Sequence, residues 1–133
     1  MGDIHGYFSL LNGFLNKINY PESKPEDIIL QTGDFGFWPK LHGKIYNGKY
    51  SNRIWDQYGI KNRNVKIYWA EGNHEDLAVL FNLEINEIQK NIFWMKRRSI
   101  LTLPDGRNVI FFGGARSIDQ KYRIEGESWF REE

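Results

Sequence analysis

Three observations predict an α/β fold for this chain of 133 residues. Apolar residues recur at helical spacing from Phe8 to Ile18, and a short β-branched run follows at residues 27–32, so the period changes from 3.6 to 2. A strand, a glycine-bearing polar loop and a helical segment then recur between residues 65 and 83. Further apolar runs at 92–95, 100–103 and 108–112 complete the pattern. Strands joined by helices pair in parallel, and the closing runs add a meander.

Ser9 is a suitable N-cap, and Leu10, Leu11, Phe14 and Leu15 form the apolar side of a helix over 9–19, ended by Tyr20-Pro21. Asp27 to Thr32 reads as a buried strand that runs into Gly33-Asp34. The polar, glycine-rich stretch Lys40 to Ser51 reads as a loop over the site, and 51–60 as a second helix. Val65 to Ala70 is the next strand, delivering Gly72-Asn73-His74 at its C-terminal end, and 75–83 reads as a helix. The run Ile92 to Met95, then Ile100 to Leu103 and Asn108 to Phe112 joined at Pro104-Asp105-Gly106, makes the meander that ends at Gly113-Gly114. No repeat, low-complexity tract or linker divides the chain, which predicts one domain over 1–133.

Composition excludes several classes. Hydrophobic residues make up 41% of the chain, with five Trp, seven Tyr and nine Phe, which supports an aromatic core and excludes disorder. A net charge of +1 gives no strong nucleic-acid signal and no grip on an anionic membrane. The one dense basic run, Lys96-Arg97-Arg98, reads as a solvated turn. Without cysteine, any metal must be held by oxygen and imidazole. No run approaches the roughly 18 apolar residues of a membrane span, so a soluble, cytoplasmic protein is expected.

Three short islands carry metal-ligand residue types beside glycine: Gly2-Asp3-Ile4-His5-Gly6, Gly33-Asp34-Phe35-Gly36 and Gly72-Asn73-His74-Glu75. Two of them fall at predicted strand ends, where open α/β sheets gather their ligands. Singly each is a weak signal. In this order and spacing they resemble the calcineurin-like metallophosphoesterases of bacterial and phage type. The run Gly113-Gly114-Ala115-Arg116-Ser117-Ile118-Asp119, with Tyr122-Arg123 and Trp129, extends the resemblance nearly end to end.

The resemblance implies a fold, an activity and a site. The fold is a β-sandwich flanked by helices, of αββα type, here partial, with the first strand and the C-terminal strands missing. The activity is hydrolysis of phosphate mono- or diesters by a water activated between two divalent metal ions, Mn first, with Fe, Zn or Ni as alternatives. Such ions lie about 3.5–4 Å apart and clamp the phosphoryl oxygens. Asp34 is the candidate bridge, because each carboxylate oxygen can bind one ion. Asp3 and His5, two apart on an extended segment, project the same way and can share one ion, while Asn73 offers a neutral oxygen to the other. His74 matches the acid that protonates the leaving oxygen, with Asp76 or Glu75 to orient it. Arg116 is a candidate phosphate contact. The glycines at 2, 6, 33, 36 and 72 are expected to allow positive φ and close approach.

The departures are as informative. The family draws further ligands from a later His and a Gly-His-x-His, whereas this chain has only His5, His42 and His74. Four of the usual seven ligands are present, so the chain reads as the N-terminal part of a phosphoesterase domain, carrying about half of its active site. The alternative is a non-catalytic scaffold derived from that fold that binds a metal or a partner. No arginine follows Asp34 as it does in the family's protein phosphatases, which leaves the class of phosphorylated substrate open. Open sheet edges would favour self-association. His42 reads as a solvated surface residue, Phe35, Phe37 and Trp38 as packing, and Trp69 and Trp94 as core.

Overall fold

A computed structural model of the chain describes residues 2–17, 27–38, 43–46, 49–52, 65–131 and 133, with 43–46 and 49–52 described by their backbone. Its centre is a four-stranded sheet in the order β1 (Ile28–Thr32), β4 (Lys66–Ala70), β6 (Ile92–Trp94), β5 (Glu87–Gln89). β1 and β6 both run parallel to β4, with Ile29 opposite Ile67 and Trp69 opposite Trp94, and β5 returns antiparallel on β6. The α/β class is as expected. A second antiparallel pair joins β7 (Ile100–Thr102) to β8 (Asn108–Ile110).

Alternation along β4 sorts two cores. Ile67 and Trp69 face one side with Ile92 and Trp94, where they meet α1 (Phe8–Lys17) through Phe8, Leu11 and Leu15. Tyr68 and Ala70 face the other side with Leu30, Phe93 and Met95, covered by Leu101, Val109 and Phe111 of the β7–β8 hairpin. Phe35 stacks on Trp69 at 4.7 Å and Tyr68 on Phe93 at 4.9 Å. Each fully buried large apolar side chain contributes about 1.5–3 kcal/mol, and the aromatic stacking adds to this. Trp69, Trp94, Phe35 and Phe37 are therefore core, as their sequence setting implied.

Several boundaries differ from the sequence reading. α1 begins at Phe8, so Ser9 lies inside its first turn, and Leu10 and Phe14 are exposed. Ile18 to Pro21 lies outside the described residues. Within the expected loop 40–51, β2 (Gly43–Tyr46) pairs with β3 (Lys49–Asn52) as an antiparallel hairpin. His42 and the expected helix beyond Asn52 lie outside the described residues. The expected helix 75–83 is a single turn, α2 (Leu77–Leu80). The run at 92–94 is not the first strand of a meander, because it joins the parallel sheet beside β4. The continuous apolar run Ile92-Phe93-Trp94 suits a strand covered on both faces, whereas β7 and β8 alternate exposed and half-buried residues. Lys96-Arg97-Arg98 is only partly a solvated turn: Lys96 and Arg98 are exposed, but Arg97 turns inward onto the buried carboxylate of Glu71.

Candidate metal centre

The loops after β1 and β4 leave the sheet at the same end, and the N-terminal island is fastened across them. The N–H groups of Ile4 and His5 both donate to the Asp34 carbonyl, at 3.0 and 2.8 Å, and that of Gly6 donates to the Phe35 carbonyl at 2.9 Å. These bonds hold the segment of Asp3 and His5 against the loop after β1. The segment is not extended as expected; it turns at His5 and Gly6, both at positive φ. His5 and Asp34, at φ 45° and 48°, occupy a left-handed region that side chains seldom adopt, a strain that concentrates at functional sites. Two glycines fit by necessity: a Cβ on Gly36 would stand 2.0 Å from the Gly6 nitrogen, and one on Gly72 would stand 2.0 Å from Asp34 Oδ1.

This backbone brings three side chains together. One ligand atom from each of Asp3, His5 and Asp34 lies within 4.8 Å of the others, with Asp3 and His5 exposed and Asp34 buried. His5 Nε2 stands 3.6 Å from Asp34 Oδ2, while the other oxygen, Oδ1, accepts the backbone N–H of His74 at 3.0 Å. Two carboxylates and an imidazole on an accessible rim are a donor set suited to a divalent transition metal. Asn73 lines the same cleft as Asp3 and Asp34, a hollow of about 370 Å³. Its amide nitrogen donates to Ser117 Oγ at 2.9 Å. That bond directs the NH₂ to Ser117 and leaves the carbonyl oxygen as the donor atom a metal would use.

The His74 ring lies edge-on to that of His5, centroids 4.9 Å apart. Its Nε2 meets Arg123 Nη2 at 2.8 Å. Arg123 is only 10% exposed and is tied to Asp119 Oδ1 at 2.9 Å and to the Ser128 carbonyl at 3.1 Å. Hydrogen bonding to Arg123 holds the Asp119 carboxyl below its usual range. The two carboxylates proposed to orient His74 also accept backbone N–H groups. Asp76 is buried and its Oδ1 accepts the N–H of Val79, capping α2, because the chain turns into that helix immediately after His74. Glu75, fully buried, accepts the N–H of Gly36 at 3.1 Å through Oε1 and that of Gly72 at 2.9 Å through Oε2. Burial pushes the Glu75 carboxyl up to about 8, the Asp34 charge adds to the rise, and the N–H groups of Gly36, Gly72 and Phe35 oppose it.

Arg116 is exposed and lines a separate hollow with Ser117, Ile118 and Lys121. Within the 113–123 segment, Ser117 and Arg123 contact Asn73 and His74, and Gly114 and Ala115 line the cleft. Beneath that segment, Glu71 accepts from Trp94 Nε1 at 2.9 Å and pairs with Arg97 Nε at 2.5 Å. Gly113 and Gly114 lie against this pair so closely that a Cβ on either would stand within 2.5 Å of it.

The chain is 24% identical over 124 residues to CWF19-like protein 1 of Mus musculus and 23% identical over the same length to that of Homo sapiens. The matches take in 90% of this chain but 20% of each relative, so the chain spans about a fifth of their length. The family description "Calcineurin-like phosphoesterase" matches residues 1–132. With three islands at one end of an α/β sheet and a match over almost its whole length, the chain belongs to the calcineurin-like phosphoesterase family.

Proposed function

We propose that this chain is part of a metal-dependent phosphoesterase and hydrolyses phosphate mono- or diesters once its metal site is filled. The observation that carries this reading is the convergence of Asp3, His5 and Asp34 within 4.8 Å, beside His74. Asp3, His5 and Asp34 would hold one divalent ion, and Asp34 with Asn73 would contribute to a second, with Mn favoured. When bound, such ions supply a nucleophile at neutral pH and neutralise charge on the phosphoryl oxygens. The chain's own residues do the rest. Glu75 binds the loops of Gly36 and Gly72 together, which keeps Asp34 and Asn73 in register. His74 donates a proton to the departing ester oxygen, a task suited to imidazole near neutral pH. The substrate is a phosphorylated compound whose class is set by the walls of the cleft.

The alternative is a scaffold that binds a metal or a partner without catalysis. It is favoured by the fact that, among the described residues, only one His/Asp/Glu group has metal-binding geometry. Mn-dependent hydrolysis of p-nitrophenyl phosphate and its bis ester, with Asp34→Asn as control, separates the two. Turnover that the substitution abolishes supports the enzyme; Mn binding with no turnover supports the scaffold.

A further inference from the structure

The short segment from Ser117 to Arg123 touches two side chains of the third island: Ser117 holds Asn73 and Arg123 holds His74. The second contact has a chemical consequence. A guanidinium has five N–H donors and no acceptor, so at 2.8 Å from Arg123 Nη2 the His74 Nε2 must present its lone pair. A neutral imidazole has one protonated nitrogen, which leaves Nδ1 to carry the hydrogen. Arg123 is itself held from two more directions, by Asp119 at its Nε and by the Ser128 carbonyl at Nη1. At 10% exposure it has little room to take another rotamer. The arrangement thus has a donor-only group, buried and braced, at one nitrogen of the residue assigned as the acid.

We propose that Arg123 is a positioning residue for His74: braced by Asp119, it fixes the ring with Nε2 as acceptor and with the proton of the neutral ring on Nδ1. The catalytic meaning of this rests on His74 being the acid. In that case Nε2 must come away from Arg123 and take up a proton, since only the imidazolium can give one to the leaving oxygen and return to the neutral ring.

The test is the tautomer of His74, read from side-chain ¹H–¹⁵N correlation spectra of the metal-free, ¹⁵N-labelled chain at about pH 8, above the ordinary imidazole pKa. The expected wild-type spectrum has an unprotonated Nε2 and a protonated Nδ1. Arg123→Met should move His74 toward the Nε2–H form, and Asp119→Asn should do so in part. Arg123→Lys, which supplies a donor-only ammonium, should restore the wild-type pattern at least partly. A wild-type His74 that carries its hydrogen on Nε2 would overturn the proposal, and this needs no variant to fold. An unchanged tautomer in folded Arg123→Met would overturn it too. In the Mn-loaded chain, Arg123→Met should lower kcat about tenfold with KM within about twofold, a fraction of what a general acid contributes. Absence of wild-type hydrolysis would sink the phosphoesterase reading, while the tautomer result would stand or fall by itself.

Discussion

The backbone N–H of His74 donates to Oδ1 of Asp34 over 3.0 Å, so the loop after β4 is hydrogen-bonded to the central carboxylate of the loop after β1. One Asp34 oxygen is thereby engaged in structure, while the other faces His5 Nε2 at 3.6 Å. The geometry of the centre therefore depends on how closely the two loops approach.

Gly72 is where that approach is tightest. A methyl group there would stand 2.0 Å from Asp34 Oδ1 and 2.5 Å from its backbone nitrogen. Gly72→Ala should destabilise the chain by about 1–3 kcal/mol, as overpacking does, and weaken Mn binding. Calorimetric melting and Mn titration check both; an unchanged melting temperature would contradict the close approach.

Glu75 makes stability depend on pH in the metal-free protein. Its folded-state pKa is raised from the ordinary 4.5 to about 8, so the folded state binds its proton more tightly than the unfolded state. The stability from this group is complete below the unfolded value and is lost as pH rises through the folded one. Urea unfolding should show stability falling between about pH 5 and pH 8. Glu75→Gln should flatten that slope while lowering stability overall, because an amide cannot accept both backbone N–H groups.

The Glu71–Arg97 pair should matter more than its distance from the metal ligands suggests. The Glu71 side chain is wholly buried, and Arg97 is partly solvated at 35%. Arg97→Met should cost about 3 kcal/mol, the lower end for stranding one member of a buried pair. Glu71→Gln should cost less, since its amide oxygen still accepts the Trp94 N–H. Urea midpoints of the two variants give the comparison, and equal losses would argue against the charge of Glu71 as the cause.

Ser117 tests whether Asn73 must be held. Ser117→Ala removes the acceptor of the Asn73 amide and little else at the side chain. The expected result is an unchanged fold with roughly tenfold weaker Mn binding, the scale of losing an outer-shell partner. Calorimetric titration measures it.

What was legible in the sequence was local. Ligand types beside glycine marked out the three islands, the resemblance they carry implied Asp3, His5, Asp34 and Asn73, and the fold brings Asp3, His5 and Asp34 together. Asp76 lies two residues after His74, and its Oδ1 also accepts the N–H of Val79 at the start of α2, a contact that follows from a helix boundary two residues later than the sequence pattern suggests. Arg123 and Ser117 were hidden because they lie 49 and 44 residues from their partners, and no spacing rule connects such distant positions. The partners of Glu71 were hidden in the same way, since Trp94 and Arg97 lie 23 and 26 residues from it. The single-turn length of α2 was also unreadable, since Leu77, Leu80 and Phe81 suit one turn as well as two.

The parallel pairing of β1 with β4 has a bearing on how the molecule is made. Ile28 lies opposite Lys66, so the first ladder closes a span of nearly forty residues, and the Arg123 contact closes a longer one. Such topologies have high contact order and fold slowly, because chain entropy is lost before the distant contacts form. On a ribosome, His74 emerges well before the arginine that orients it. Metal affinity should thus rise late in folding, and an ion added to a refolding mixture would report the completed chain.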